Sequence, residues 1–356
     1  MSDQSLQEST FAPPSGVRVI GAADVVEQVE THREGALDVV RAAYLAHQDG
    51  STANPHSSFL RFPDRPKDRI IALPAFLDDA GTPRSGIKWI ASYPGNVDHG
   101  FPRASAVMVL NDYDTGYPYA MLEASVISAT RTAASAALGA EALLGGRSAG
   151  RVGFVGTGLI SDHVRMFLRD LDWAVDDFVL FDTVRENADR FAAQLVEDGQ
   201  AEQATVADDV ADVFTGADLV VVATVAGEPH LTDPALLADA PVVLHLSLRD
   251  FAPELVLAAT NVTDDVDHAV REQASLHLAE QQVGHRDFVD GTIADVVRGR
   301  LRREQGKAVI VSPFGLGVLD LAVGGWVCDR VSAIDGGHFV PDFVASAPVG
   351  PGKAGS

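Results

Sequence analysis

The residues best placed to do chemistry begin at a glycine-rich turn. Gly156-Thr157-Gly158-Leu159-Ile160-Ser161 follows the apolar strand pattern 152–155 directly and opens a helical pattern. One glycine would make the tight turn, a second would let the backbone approach an anion, and the helix N–H groups would face that anion. Ser161 stands in the place of a third glycine. A dinucleotide also needs a carboxylate for its ribose hydroxyls, about 20 residues further on. Asp182 supplies one, 24 residues after Gly158 and at the end of the apolar run 178–181. The alternative is a plain strand-to-helix turn, with Asp182 capping the helix that follows. Asp182 would repel a 2′-phosphate and so favours NAD over NADP, whereas nearby Arg185 favours the reverse. Thr224 follows the strand pattern 218–223, at the edge where open α/β sheets bind ligands. It is either a cofactor contact or a strand-end threonine.

Three more groups are charged in apolar surroundings. Lys88 lies inside the strand pattern 86–92, and Arg131 sits in an Ala-rich helical run where an always-charged guanidinium needs an anionic partner. Asp250 comes just after the strand pattern 242–246, where catalytic groups of such sheets collect. Each has a structural alternative: an ion pair for Lys88 or Arg131, and for Asp250 an N-cap on the helix beginning at Pro253, with Glu254 competing for its role.

The elements that must position these residues fall into two textures. An amphipathic helix near 34–47 and strands around 57–61, 70–77, 86–92 and 104–111, separated by turns, read as an α+β domain. A long Ala-rich helical pattern spans 118–144 and stops at Gly145-Gly146. From Arg151 strands alternate with helices, which implies parallel βαβ units and a Rossmann-type α/β domain. The division expected is a loose 1–16, a first domain of 17–144 with 312–345, a dinucleotide domain of 145–311 and a loose tail 346–356. With 356 residues and 46% hydrophobic content the chain can fill two cores. Its formal charge of -23 argues against nucleic-acid binding, which needs clustered cations. No apolar run reaches membrane-spanning length, and a cytoplasmic location is expected. The lone Cys328, in an apolar run, reads as a buried filler.

Several runs carry a family resemblance: Gly86-Ile87-Lys88-Trp89, Thr115-Gly116-Tyr117-Pro118 and Ser128-Ala129-Thr130-Arg131-Thr132-Ala133-Ala134. From about Val17 to Ala345 the chain resembles the ornithine cyclodeaminase/mu-crystallin family. Ala91-Ser92-Tyr93-Pro94-Gly95-Asn96 and Leu248-Arg249-Asp250-Phe251-Ala252-Pro253-Glu254 are most similar to the branch that makes 2,3-diaminopropionate for siderophores and peptide antibiotics, the N-(2-amino-2-carboxyethyl)-L-glutamate dehydrogenases. The resemblance implies a cation triplet Arg61, Lys88 and Arg131 on the substrate carboxylate, with Asp250 as acid–base residue and Lys88 beside it in catalysis. It also implies Thr115 and Arg131 on the cofactor side, NAD as cofactor, an amino acid derivative as substrate, and a homodimer formed through the first domain and the closing helix after Gly317. His245-Leu246-Ser247-Leu248-Arg249 replaces the Gly-rich run that cyclodeaminases carry, which weakens ornithine as substrate. Arg103 and Arg249 are extra cations that a substrate with three carboxylates could use, or plain surface residues. Competing readings are an ornithine cyclodeaminase, an imino acid reductase, and a non-catalytic NAD(H)-binding sensor.

Overall fold

The protein, here a computed structural model describing residues 14–344, is built on two eight-stranded sheets. Residues 1–13 and the tail 346–356 lie outside the described residues. Gly16, expected in the loose N-terminus, instead starts the strand Gly16–Ile20. That strand pairs with His338–Pro341 and sinks Val17 and Ile20 into the core, which fixes it.

One sheet is parallel at every pairing. Its order is Thr205–Val206, Ala174–Phe181, Ser148–Val155, Leu219–Val222, Val242–His245, Val309–Val311, Thr260–Thr263 and Val289–Thr292. Central strands of such a sheet have no solvent face and must be apolar on both sides; Leu219–Val222 and Val242–His245 are buried throughout. Helices Ser125–Leu144, Leu159–Asp170 and Arg185–Glu197 pack one face, and Pro253–Ala258 and Ser275–Val283 the other. This is the expected doubly wound Rossmann arrangement. Strand order reverses between Ser148–Val155 and Leu219–Val222, the position at whose carboxyl-end edge open sheets of this kind take ligands.

The other sheet runs His338–Pro341, Gly16–Ile20, Pro118–Glu123, Ala104–Asn111, Thr82–Ser92, Arg65–Asp79 and Thr52–Ala53, with Ser58–Phe62 also paired to Arg65–Asp79. The start of the helical pattern expected over 118–144 is in fact a strand, Pro118–Glu123. Ala120 and Leu122 are buried while Tyr119 and Met121 are not, a period of two, and a proline is tolerated at a strand's first residue. The helix Ser125–Leu144 begins where the Glu123 carboxylate accepts the backbone N–H groups of Ser125 (2.7 Å) and Val126 (3.1 Å).

The sheet's inner face, with Leu73, Ala75, Leu77, Met108 and Leu122, is covered by the helices Arg33–Gln48, Ser125–Leu144 and Gly317–Ala333. Its outer face carries Leu60 and Trp89, 45% and 42% exposed. Cys328, on the closing helix, is buried. Among the described residues no helix is long and apolar enough to cross a membrane.

Candidate functional site

The strand Ser148–Val155 delivers the chain to Gly156 at the strand-order reversal. Gly156 has φ +82°, and a Cβ there would lie 2.7 Å from the Ala223 carbonyl oxygen. Gly158 faces open space, and the helix Leu159–Asp170 starts there without a side-chain cap. The first N–H groups, on Leu159, Ile160 and Ser161, have no partner within the helix and can receive an anion. Ser161 is buried, and its hydroxyl donates to the Gly156 carbonyl at 2.5 Å, so the residue in the third glycine position closes the loop.

Asp182 faces this loop. Its Oδ2 accepts the Thr157 N–H (2.9 Å) and hydroxyl (3.0 Å), and its Oδ1 accepts the Val184 N–H (2.9 Å). It is not the cap of the next helix, whose N-cap is Val184. Arg185 is drawn away to Asp208 and Asp189. Leu159, Val184 and Val225 are exposed apolar side chains close to the ends of three adjacent strands. Cradle, unfilled N–H groups, carboxylate and apolar rim together fit a dinucleotide. Gly156→Val is expected to weaken dinucleotide binding at least about tenfold in a titration, because a side chain with positive φ alone costs roughly 1–2 kcal/mol before the clash with Ala223 is counted.

Asp250 lies beside the same edge, fully buried. It accepts hydrogen bonds from the Thr224 hydroxyl, from His230 Nε2 (3.1 Å) and from His245 Nε2 (3.1 Å). His245 Nδ1 in turn meets Ser312 Oγ at 3.0 Å. Burial raises the pKa of Asp250, but the hydrogen bond and charge of His245, with the Ser247 and Thr224 hydroxyls, outweigh it and hold the carboxyl well below the usual carboxylate range. The N-cap of helix Pro253–Ala258 is Ala252, so Asp250 does not cap it. His230 is the half-exposed member of this chain, its side chain 41% accessible.

On the first sheet and the helices that cover it, Lys88 and Arg131 converge on one carboxylate. Asp320, fully buried on the closing helix, lies 2.6 Å from Lys88 Nζ through Oδ2 and 3.1 Å from Arg131 Nε through Oδ1. Lys88 also donates to Ser128 Oγ at 3.0 Å. Burial and the Arg131 charge lower the Lys88 pKa to about 8 against the pull of Asp320. A second buried carboxyl group, Asp264, accepts the Phe314 (3.0 Å) and Gly315 (2.6 Å) N–H groups and interacts with the Arg131 charge, so two cations face two carboxyl groups here. Among the described residues only Nε of Arg131 is hydrogen-bonded, which leaves its terminal nitrogens for a ligand. Those nitrogens lie against Gly315, where φ is +100° and a Cβ would approach to 2.6 Å. The segment Ser312-Pro313-Phe314-Gly315 therefore runs from His245 and Asp250 to Arg131.

Two expected site residues stand elsewhere. Arg61 is half exposed and bound to Glu272 at 2.7 Å. It stands opposite Arg69, four residues along the strand from Leu73, the partner of Lys88, so the expected triplet is a pair plus a separate arginine. Thr115 bonds to Asp112 inside the hairpin turn between Ala104–Asn111 and Pro118–Glu123, and among the described residues it makes no bond to the glycine loop. Sequence reasoning missed Asp320, His230 and Ser312. Asp320 carried a signal, a lone carboxylate in the apolar run of helix Gly317–Ala333.

Comparison with known proteins gives one family model, ornithine cyclodeaminase/mu-crystallin, matching residues 18–335. A similar curated protein is the N-((2S)-2-amino-2-carboxyethyl)-L-glutamate dehydrogenase of Staphylococcus aureus, 26% identical over 85% of this chain and 92% of its own. The fold is shared with Thermococcus litoralis Delta(1)-pyrroline-2-carboxylate reductase in complex with NADH and L-proline: TM-score 0.81, 20% identity, 91% of this chain and 100% of the other. It is also shared with an archaeal alanine dehydrogenase dimer with bound NAD: TM-score 0.78, 22% identity, 91% and 98% covered.

Proposed function

The chain belongs to the ornithine cyclodeaminase/mu-crystallin family, and on that premise we propose that it is an NAD-dependent oxidoreductase acting on the C–N bond of an amino acid derivative. The specific reaction proposed is oxidative hydrolysis of N-(2-amino-2-carboxyethyl)-L-glutamate to 2,3-diaminopropionate and 2-oxoglutarate. The product would serve siderophore or peptide antibiotic assembly in the cytoplasm. The observation that carries this reading is the hydrogen-bonded line Thr224–Asp250–His245–Ser312, which the backbone of residues 312–315 brings up against Arg131 and so to its ion-paired neighbours Asp320 and Lys88. It joins a dinucleotide crevice to a buried cation pair. Burying charges at this density costs stability, a cost that a protein merely retaining a cofactor would have no reason to bear.

Gly156, Thr157, Gly158, Leu159, Ile160 and Asp182 would hold the dinucleotide, with Thr224 at the crevice edge. Bound there, the nicotinamide supplies the hydride acceptor. Lys88 and Arg131 bind the substrate α-carboxylate and so fix its α carbon, an orientation effect worth several kcal/mol. Asp250, ionised and anchored by two histidines, takes the proton of the substrate amine so that the nitrogen lone pair can assist C–H cleavage. His230, half exposed, passes that proton to water. Asp250 then activates the water that adds to the resulting imine, and collapse of the carbinolamine separates the two products. A homodimer through the outer sheet face of Leu60 and Trp89 completes the reading. The dimeric alanine dehydrogenase of the same fold supports it.

The test is a substrate panel with NAD: N-(2-amino-2-carboxyethyl)-L-glutamate, L-ornithine and L-alanine, read at 340 nm with product analysis. Net NADH and 2-oxoglutarate from the first alone are expected. Proline and ammonia from ornithine without net NADH would instead make the protein a cyclodeaminase. Because kcat/KM reports the free enzyme, its pH profile should fall as pH rises through about 8, where buried Lys88 loses its proton and its hold on the carboxylate. A profile flat to pH 10 would remove Lys88 from substrate binding.

A further inference from the structure

Four arginines unused by this mechanism meet at one end of the first sheet. Arg61 and Arg69 stand opposite each other, Ser92 is the next rung, and Arg103 directly precedes Ala104, the partner of Ser92. Arg249 comes from the parallel sheet's side, donating from Nη1 to the Gly227 carbonyl (3.2 Å) and from Nη2 to the Glu272 carbonyl (2.9 Å). Like charges on opposed strand positions repel. Burial, with the charges of Arg103, Arg61 and Arg249, lowers the pKa of Arg69. Glu272 answers part of this charge by accepting from Arg61 Nη2 at 2.7 Å. Even so, the Nε atoms of Arg69 and Arg249 are buried without a hydrogen-bond partner among the described residues. Glu272 and its neighbour Gln273 are both held in the left-handed region, φ +53° and +56°, which non-glycine residues adopt under constraint.

We propose that this cluster receives a second, distal carboxylate of the substrate, and that Glu272 is an internal carboxylate that fills the place until the substrate displaces it. The position suits the task. Arg69 shares a sheet face with Lys88, four residues along the strand, or about 13 Å between backbones. Long side chains reaching in from both ends leave a gap that a multi-carbon acid with two carboxylates can bridge. Arg249 directly precedes Asp250, so the cluster also borders the acid–base residue. A chain with formal charge -23 repels a polyanion at long range, and a local excess of cations is what captures one. The inference rests on the proposed reading of the site and adds the residues that would hold the substrate's distal carboxylate.

The test is calorimetric titration of the NAD-loaded protein with 2-oxoglutarate and with 2-oxobutyrate, which lacks only the distal carboxylate. Wild type should bind 2-oxoglutarate at least tenfold more tightly. Arg69→Gln and Arg249→Gln should each erase that preference while keeping 2-oxobutyrate binding. Glu272→Gln should tighten 2-oxoglutarate binding several-fold, a gain that misfolding cannot imitate. Equal binding of the two acids to wild type, or an unchanged preference in Arg69→Gln, would overturn this inference and leave the proposed reading of the site standing. Failure of both acids to bind would overturn the two together.

Discussion

Asp250→Asn is expected to lower kcat by about 10²–10⁴-fold, the range that a positioned acid–base group supplies, while dinucleotide binding stays within a factor of two. The residue accepts from Thr224, His230 and His245, and an amide of the same shape keeps much of that packing but cannot take a proton from the substrate amine. The deepest loss should fall on the steps that move a proton. Single-turnover measurement with NAD separates them from binding. A variant that retained full kcat would show that Asp250 only orders the two histidines.

The second large effect is expected at Asp320. Asp320→Ala leaves Lys88 and Arg131 facing each other in a buried site without their shared carboxylate. Breaking a buried ion pair in this way costs about 3–5 kcal/mol, most of it the penalty of the charge left behind. The urea midpoint should drop accordingly. The Lys88 pKa, already lowered to about 8 by burial and by Arg131, should drop further once the carboxylate that raises it is gone. At neutral pH the variant would then lose one of its two substrate cations, and KM should rise as stability falls. An unchanged midpoint would mean that water or another acid compensates the pair.

Legibility of these residues in the sequence follows how local their roles are. The glycine loop and Asp182 were legible because strand, turn, helix and second strand are consecutive, and the crevice chemistry depends on that order. The start of the strand Pro118–Glu123 was misread because Ala120, Met121 and Leu122 are good helix formers next to an Ala-rich helix. Its parallel pairing with Gly16–Ile20, about a hundred residues earlier, is a long-range fact that overrides local propensity. Asp320 illustrates the same limit. It joins Lys88 and Arg131 from a helix far along the chain, and only the packing of that helix on the first sheet brings the three together. Arg61 shows the converse: the resemblance implies that it joins Lys88 on the substrate carboxylate, and the strand register sets it opposite Arg69 with Glu272 as its ion-pair partner.

The most direct measurement uses N-(2-amino-2-carboxyethyl)-L-glutamate carrying deuterium on the glutamyl α carbon, incubated with the protein and NAD. The account predicts one deuterium in the reduced cofactor for each 2-oxoglutarate and 2,3-diaminopropionate formed, with a slowed single-turnover rate. Unlabelled reduced cofactor, or no net reduction while L-ornithine is converted to proline, would contradict it.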